Sequence, residues 1–150
     1  MVHRAVDVAA PPAAVYRRLC QLRVAPYSYD LLDNLGRRSP RELVPGLEQL
    51  ELGQRFAHIF TLVDFEPGRS LTIRTARDLF GDVVVTYAVA PRPGGSRLLV
   101  RLRVRHRRDP LGALWRLVLP PGDLLMMRKQ LRTFAALAEA DARRVSARPG

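Results

Sequence analysis

Pro120-Pro121-Gly122-Asp123-Leu124-Leu125-Met126-Met127-Arg128-Lys129-Gln130-Leu131-Arg132-Thr133-Phe134-Ala135-Ala136-Leu137-Ala138-Glu139 is the stretch on which the fold turns. From Leu124 to Ala142 neither proline nor glycine interrupts the chain. Leu124, Met127, Leu131, Phe134 and Ala138 recur at offsets of three and four, which places them on one stripe of a helix. Lys129, Arg132, Glu139 and Arg143 fall on the other side. Pro121 suits a first helical turn, and a negative charge at Asp123 suits the positive end of the helix dipole. The pattern predicts a helix over 121–143, roughly 30 Å long. An apolar stripe of that length needs a second apolar surface to lie on.

The middle of the chain supplies that surface as a sheet. Over 97–106, Leu98, Val100, Leu102, Val104 and His106 share one face. Arg97, Arg101, Arg103 and Arg105 share the other, interrupted by Leu99. The β-branched run 83–89 reads as a central strand, with Tyr87 on the face of Val83, Val85 and Val89. Pro91-Arg92-Pro93-Gly94-Gly95-Ser96 between them is a hairpin loop. Upstream, 70–78 (Leu71, Ile73) and 55–66 are extended and joined at Pro67-Gly68. The 55–66 run has apolar residues on both faces, Phe56, Phe60 and Leu62 against Ile59, Val63 and Phe65. A further extended piece is expected at 48–52.

At the N-terminus, the alternation of Val2, Arg4, Val6 and Val8 with His3, Ala5 and Asp7 predicts a strand. Pro11-Pro12 then starts a helix with Val15, Leu19 and Leu22 inward and Arg17 and Arg18 facing away. Tyr27-Ser28-Tyr29-Asp30 leads to a short helix closed by Gly36, and 37–45 reads as a loop. A short helix over 111–119 leads into the long one. The order is strand, helix, meander of strands, long helix. It predicts one α+β domain over 1–144 with an antiparallel sheet, followed by a loose tail at 145–150.

Composition narrows the function classes. The chain has 150 residues, 47% hydrophobic and 26% charged, enough for one sizeable core. The single Cys20 excludes an internal disulfide and fits a reducing compartment. With no signal-like N-terminus and no apolar run of spanning length, a cytoplasmic location is expected. The formal net charge is +11, from 25 basic and 14 acidic residues, and Lys129 is the only lysine. Either the arginines meet an acidic partner, or they serve as the preferred solubilising cation.

The chain resembles the START/SRPBCC superfamily, the helix-grip proteins that include the polyketide cyclase/dehydrase group. The resemblance rests on Val6-Asp7-Val8-Ala9-Ala10-Pro11-Pro12-Ala13-Ala14-Val15-Tyr16, on the meander, and on the closing helix with Met127-Arg128-Lys129-Gln130-Leu131 and Ala138-Glu139. Tyr27-Ser28-Tyr29-Asp30 followed by Asp33-Asn34-Leu35-Gly36-Arg37-Arg38-Ser39-Pro40 is similar to one bacterial branch. The resemblance implies a curved antiparallel sheet of six or seven strands wrapped around the last helix. It also implies a cavity between them for an apolar, lipid- or polyketide-like and even acidic ligand. The residues that would line it are Tyr27, Tyr29, Asp30, His58, Phe60, Tyr87, Trp115, Met127, Arg128, Leu131 and Phe134.

No P-loop, GxSxG, HExxH or paired cysteines occur, so no cofactor is expected. His3, His58 and His106 have no local metal-ligand spacing, and no metal site is expected. If the protein is an enzyme, the resemblance implies a cyclase, aromatase or dehydratase, with Asp30 and His106 as candidate proton-transfer groups. His106 sits either at the cavity mouth or at the wet end of its strand. Asp30 either orients a ligand hydroxyl or ties its loop to Arg37 or Arg38. Arg128 flanks the apolar stripe, where it either forks onto an acidic head group or snorkels to water. The Arg97 to Arg108 stripe lacks the interleaved aromatics of single-strand binders, which argues against nucleic acid. Leu111, Leu114, Trp115 and Val118, with Arg107, Arg108 and Arg116, would suit a transient contact with an anionic membrane.

Overall fold

The computed structural model describes residues 2–24, 41–57, 59–75, 82–105 and 110–147, with Val2 and residues 110–126 described by backbone alone. Strand β1 (Val2–Val8) is followed by helix α1 (Pro12–Cys20) and a 3₁₀ turn (Gln21–Arg23). Then come β2 (Arg55–Phe56), β3 (Phe60–Glu66), β4 (Ser70–Thr75), β5 (Asp82–Arg92), β6 (Gly95–Arg105) and helix α2 (Pro110–Ser146). The six strands form one curved antiparallel sheet in the order β1-β6-β5-β4-β3-β2. Strands β2 to β6 are a meander, and β1 closes on the last strand, so β1 and β2 are the two edges.

Local chemistry fixes the meander. Proline followed by a glycine at φ +77° occupies the turn at Pro67-Gly68 and again at Pro93-Gly94. Proline pre-sets the first central dihedral of a turn, and glycine enters the left-handed region without a side-chain clash. Arg92 pairs with Gly95 across the second turn, which sets the β5–β6 register. A side chain on Gly95 would put its Cβ 2.2 Å from the Val8 carbonyl oxygen, so only glycine lets β6 pass β1 this closely. The expected alternation of β6 holds. Leu98, Val100 and Leu102 are buried, and Arg97, Arg101, Arg103 and Arg105 are exposed.

Strand β3 contains a bulge at Val63, between the Leu62–Ile73 and Asp64–Thr72 pairs. A bulge inserts one residue and reverses the parity downstream. Phe65 therefore joins Leu62 on the inward face, opposite the buried Leu71, while Val63 is left exposed. This resolves the apolar pattern on both faces of 55–66. That run is also divided. Ala57 has φ +42°, its N–H donates to the Leu22 carbonyl at 2.9 Å, and the chain turns between β2 and β3.

Three expectations are corrected. Residues 48–52 form no strand, with Glu48 and Leu52 in turns and irregular chain between them, and the sixth strand is the short β2 instead. The final helix does not begin at Pro121. It runs unbroken from Pro110 to Ser146, absorbing the short helix predicted over 111–119, the Pro120-Pro121-Gly122 segment and the first residues of the supposed tail. Prolines inside a helix lack the N–H that bonds four residues back, which is why the sequence reads as a start there. Arg18 does not face solvent. It is 1% exposed, and its Nε and Nη2 donate to the two carboxylate oxygens of Asp141 at 2.5 and 2.7 Å.

That ion pair joins α1 to α2. Nearby, the Glu139 carboxylate accepts the Ala9 N–H at 2.9 Å, and the Ser96 hydroxyl donates to the Ala10 carbonyl. The C-terminal part of α2 is thereby pinned where β1, α1 and the β5–β6 hairpin meet. Leu131, Phe134, Ala135 and Ala138 join Val15, Leu19, Leu22, Phe56, Leu62, Leu71, Ile73 and Val100 in one core. Among the described residues, no helix is long and apolar enough to cross a membrane.

Removing one partner of a buried pair leaves the other charge without compensation. Asp141→Asn is expected to cost about 3 kcal/mol in urea unfolding. The double replacement Arg18→Met, Asp141→Leu should recover most of that loss. A loss in Asp141→Asn no larger than that of a typical surface pair would show that the pair does not hold the helices together.

Burial pushes the Cys20 thiol from its ordinary 9.0, and the Tyr16 phenol from 10.0, to about 12 each. The folded state keeps both protons after the unfolded chain has lost them. Their contribution is thus complete below pH 9 and drains away as pH rises toward 12. The thermal midpoint should fall above pH 9, and Cys20→Ala should flatten the first part of the decline, between the two ordinary values. A midpoint that is level through pH 10 in the parent protein would contradict this.

Candidate functional site

The inward face of the sheet is graded from sealed to half-open. In the middle of the sheet Val100, Tyr87 and Leu71 are buried, as are Leu102, Val85, Ile73 and Leu62 in the next row, while at the ends of the first row Phe65 is partly buried and Arg4 exposed. One row further from the hairpin, Val104 faces Val83 and Phe60 faces Thr75, and all four are only partly buried. Met127, on the apolar stripe of α2, is partly buried as well. These residues border the core at the end of the sheet away from the α1–α2 junction. Apolar side chains turned inward yet left partly accessible are what an apolar binding space requires.

A polar pair spans the gap between the layers. Tyr87 on β5 donates its hydroxyl proton to Oε1 of Gln130 on α2 at 2.8 Å. Tyr87 is 3% exposed, and desolvation drives its pKa far up, with the Gln130 bond opposing this only partly. The phenol therefore remains protonated at physiological pH. The shift makes it a weaker acid than an ordinary phenol, so it is suited to donating a hydrogen bond rather than a proton. At the half-open end, Thr75 accepts the Val83 N–H through its hydroxyl oxygen at 3.1 Å.

Of the residues expected to line a site, the structure brings Phe60, Tyr87, Met127, Leu131 and Phe134 to the sheet–helix interface. Leu131 and Phe134 are sealed in the core, while Phe60 and Met127 lie at its partly exposed margin. Arg128 is exposed and lines a cleft on the outer side of α2 with Arg41, Lys129 and Arg132. Tyr27, Tyr29, Asp30, His58 and His106 lie outside the described residues, and Trp115 is described by its backbone in α2 alone. No group of three or more His, Cys, Asp or Glu side chains that could hold a metal occurs among the described residues.

Sequence reasoning passed over Gln130 and the half-open row of Val83 and Val104. Gln130 lies three residues after Met127 and four before Phe134, so a polar side chain sits at the edge of the apolar stripe. That was its available signal. Which end of an alternating strand stays accessible depends on where the helix is pinned, and the strand pattern does not carry that information.

No protein-family model matches the sequence, and no curated protein is significantly similar to it. Solved structures do match. Protein CV1439 from Chromobacterium violaceum superposes with a TM-score of 0.60 at 18% identity, covering 92% of this chain and 96% of that one. Protein MLL2253 from Mesorhizobium loti gives 0.57 at 18% identity, with coverages of 93% and 96%. The di-domain ARO/CYC StfQ from the steffimycin biosynthetic pathway gives 0.51 at 14% identity, covering 94% of this chain and 51% of that one. Identities this low speak to architecture alone. The chain shares the fold of these structures, a curved antiparallel sheet packed on a long C-terminal helix, which is the helix-grip arrangement expected from the sequence.

Proposed function

We propose that the protein binds a hydrophobic small molecule between the sheet and α2, at the half-open end of the interface. The observation that carries this reading is the inward row of Val83, Val104, Phe60 and Thr75, left partly accessible, as Met127 on α2 is, while the next row is sealed. Burying apolar ligand surface there stabilises a complex at about 25 cal/mol per Å² before ordering costs. Tyr87 and Gln130 supply a neutral hydrogen-bonding pair deeper in the same interface, able to fix a carbonyl or hydroxyl on the ligand.

A second reading is catalytic, with the buried Tyr87 hydroxyl between sheet and helix as a hydrogen-bond donor. A buried neutral hydroxyl can donate a hydrogen bond to negative charge developing on a carbonyl oxygen, as a cyclase- or dehydratase-type reaction on an aromatic or polyketide precursor would use. The fold shared with the aromatase/cyclase StfQ supports this by analogy.

Two variants separate the readings. Met127→Trp fills the accessible margin and should weaken uptake of an apolar fluorescent dye about tenfold, with little change in thermal midpoint. Unchanged uptake would place the binding space elsewhere. Tyr87→Phe keeps the ring and removes the donor. Under the catalytic reading it lowers turnover of an aromatic precursor about a hundredfold while dye uptake stays within roughly threefold. Equal losses in both assays would confine Tyr87 to binding.

A further inference from the structure

Most arginines with a described partner are matched to carboxylates. Arg17 meets Glu48, Arg18 meets Asp141, Arg69 meets Glu66, Arg74 meets Asp82, and Arg92 and Arg97 meet Asp7. The outer side of α2 is different. Arg128 and Arg132 are one helical turn apart, Lys129 is beside them, and Arg41 approaches from the segment before β2. Together with Thr133, Ala136 and Leu137 they line a cleft of about 400 Å³. Among the described residues, no carboxylate is within ion-pair distance of Arg41, Arg128 or Arg132, and none lines the cleft.

Like charges four residues apart destabilise a helix, and a third guanidinium brought in from another segment adds to the repulsion. Such a cluster is stable when an anion neutralises it. Guanidinium groups fork onto oxyanions with two parallel bonds, so three of them around one space suit a group with several charged oxygens. The floor is mixed. Thr133 donates its hydroxyl to the Lys129 carbonyl at 2.9 Å, which satisfies it within the helix, and Ala136 and Leu137 add apolar surface.

We propose that this cleft binds a small phosphate ester whose phosphate is held by Arg41, Arg128 and Arg132 and whose short apolar group rests on Ala136 and Leu137. The site is on the opposite side of α2 from the interface with the sheet and does not depend on the apolar-ligand reading. It accounts for an excess of positive charge at a particular place on the molecule.

Calorimetric titration with n-hexyl phosphate, inorganic phosphate and hexanoate tests it. The expected result is saturable binding of n-hexyl phosphate, tighter than either comparator, because only it carries both the double charge and the apolar chain. The double variant Arg128→Gln, Arg132→Gln should weaken it at least about tenfold. Arg103→Gln, which also removes an exposed cation but from the outer sheet face, should leave it unchanged, as should Met127→Trp. Titration against phosphatidic acid vesicles identifies the source: preference for vesicles marks a lipid head group, preference for the soluble ester a free metabolite. Absence of saturable n-hexyl phosphate binding, or equal weakening by Arg103→Gln, would overturn the proposal. A loss in Met127→Trp alone would move the phosphate ester to the sheet–helix interface and overturn it equally.

Discussion

The buried ion pair between Arg18 and Asp141 sets the position on which everything else depends. Both charges are withdrawn from water, Arg18 almost wholly, and their attraction must offset that desolvation. It does so through the two-pronged geometry that guanidinium and carboxylate share. One guanidinium nitrogen, Nη1, is buried with no hydrogen-bond partner among the described residues. The pair is therefore weak evidence for extra stability and strong evidence for register. The Ala9 N–H, donated to the Glu139 carboxylate, reinforces it and ties the last helix to the end of β1.

Register turns an amphipathic helix into one wall of a binding space. With residues 131–142 fixed over the α1 end, Leu131, Phe134 and Ala138 seal the core there. Met127, one turn before Leu131, is only partly buried, as are Val83, Val104 and Phe60 on the sheet. Tyr87 and Gln130 bridge the layers and place one neutral donor in an apolar setting. The same helix carries its cations outward, so its two sides present opposite chemistry. Apolar groups with one hydrogen-bonding pair face the sheet, and guanidinium groups without a described carboxylate face away.

Much of the fold was legible in the sequence because it is written in local patterns. The alternation of Leu98, Val100 and Leu102 with Arg97, Arg101 and Arg103, and the Pro67-Gly68 and Pro93-Gly94 turns, depend on residues near one another in the chain. What stayed hidden depends on distant partners. Arg18 reads as a surface residue until Asp141, 123 positions away, is known to meet it. The bulge at Val63 is invisible because a parity switch looks like noise in a strand with apolar residues on both faces. The Pro120-Pro121-Gly122 segment carries the local signature of a helix start, yet the backbone stays helical through it. For the site, the apolar lining on β5 and α2 could be read from periodicity, whereas the Gln130 partnership and the accessible row could not.

The most direct test of a ligand space between sheet and helix is native mass spectrometry of the protein mixed with a graded series of aromatic and aliphatic small molecules. A space walled by Phe60, Val83, Val104 and Met127 predicts a single-stoichiometry adduct whose abundance rises with ligand apolarity and collapses in Met127→Trp. Adducts of mixed stoichiometry that ignore Met127→Trp, or no adduct across the series, would contradict it and leave the interface as a filled core.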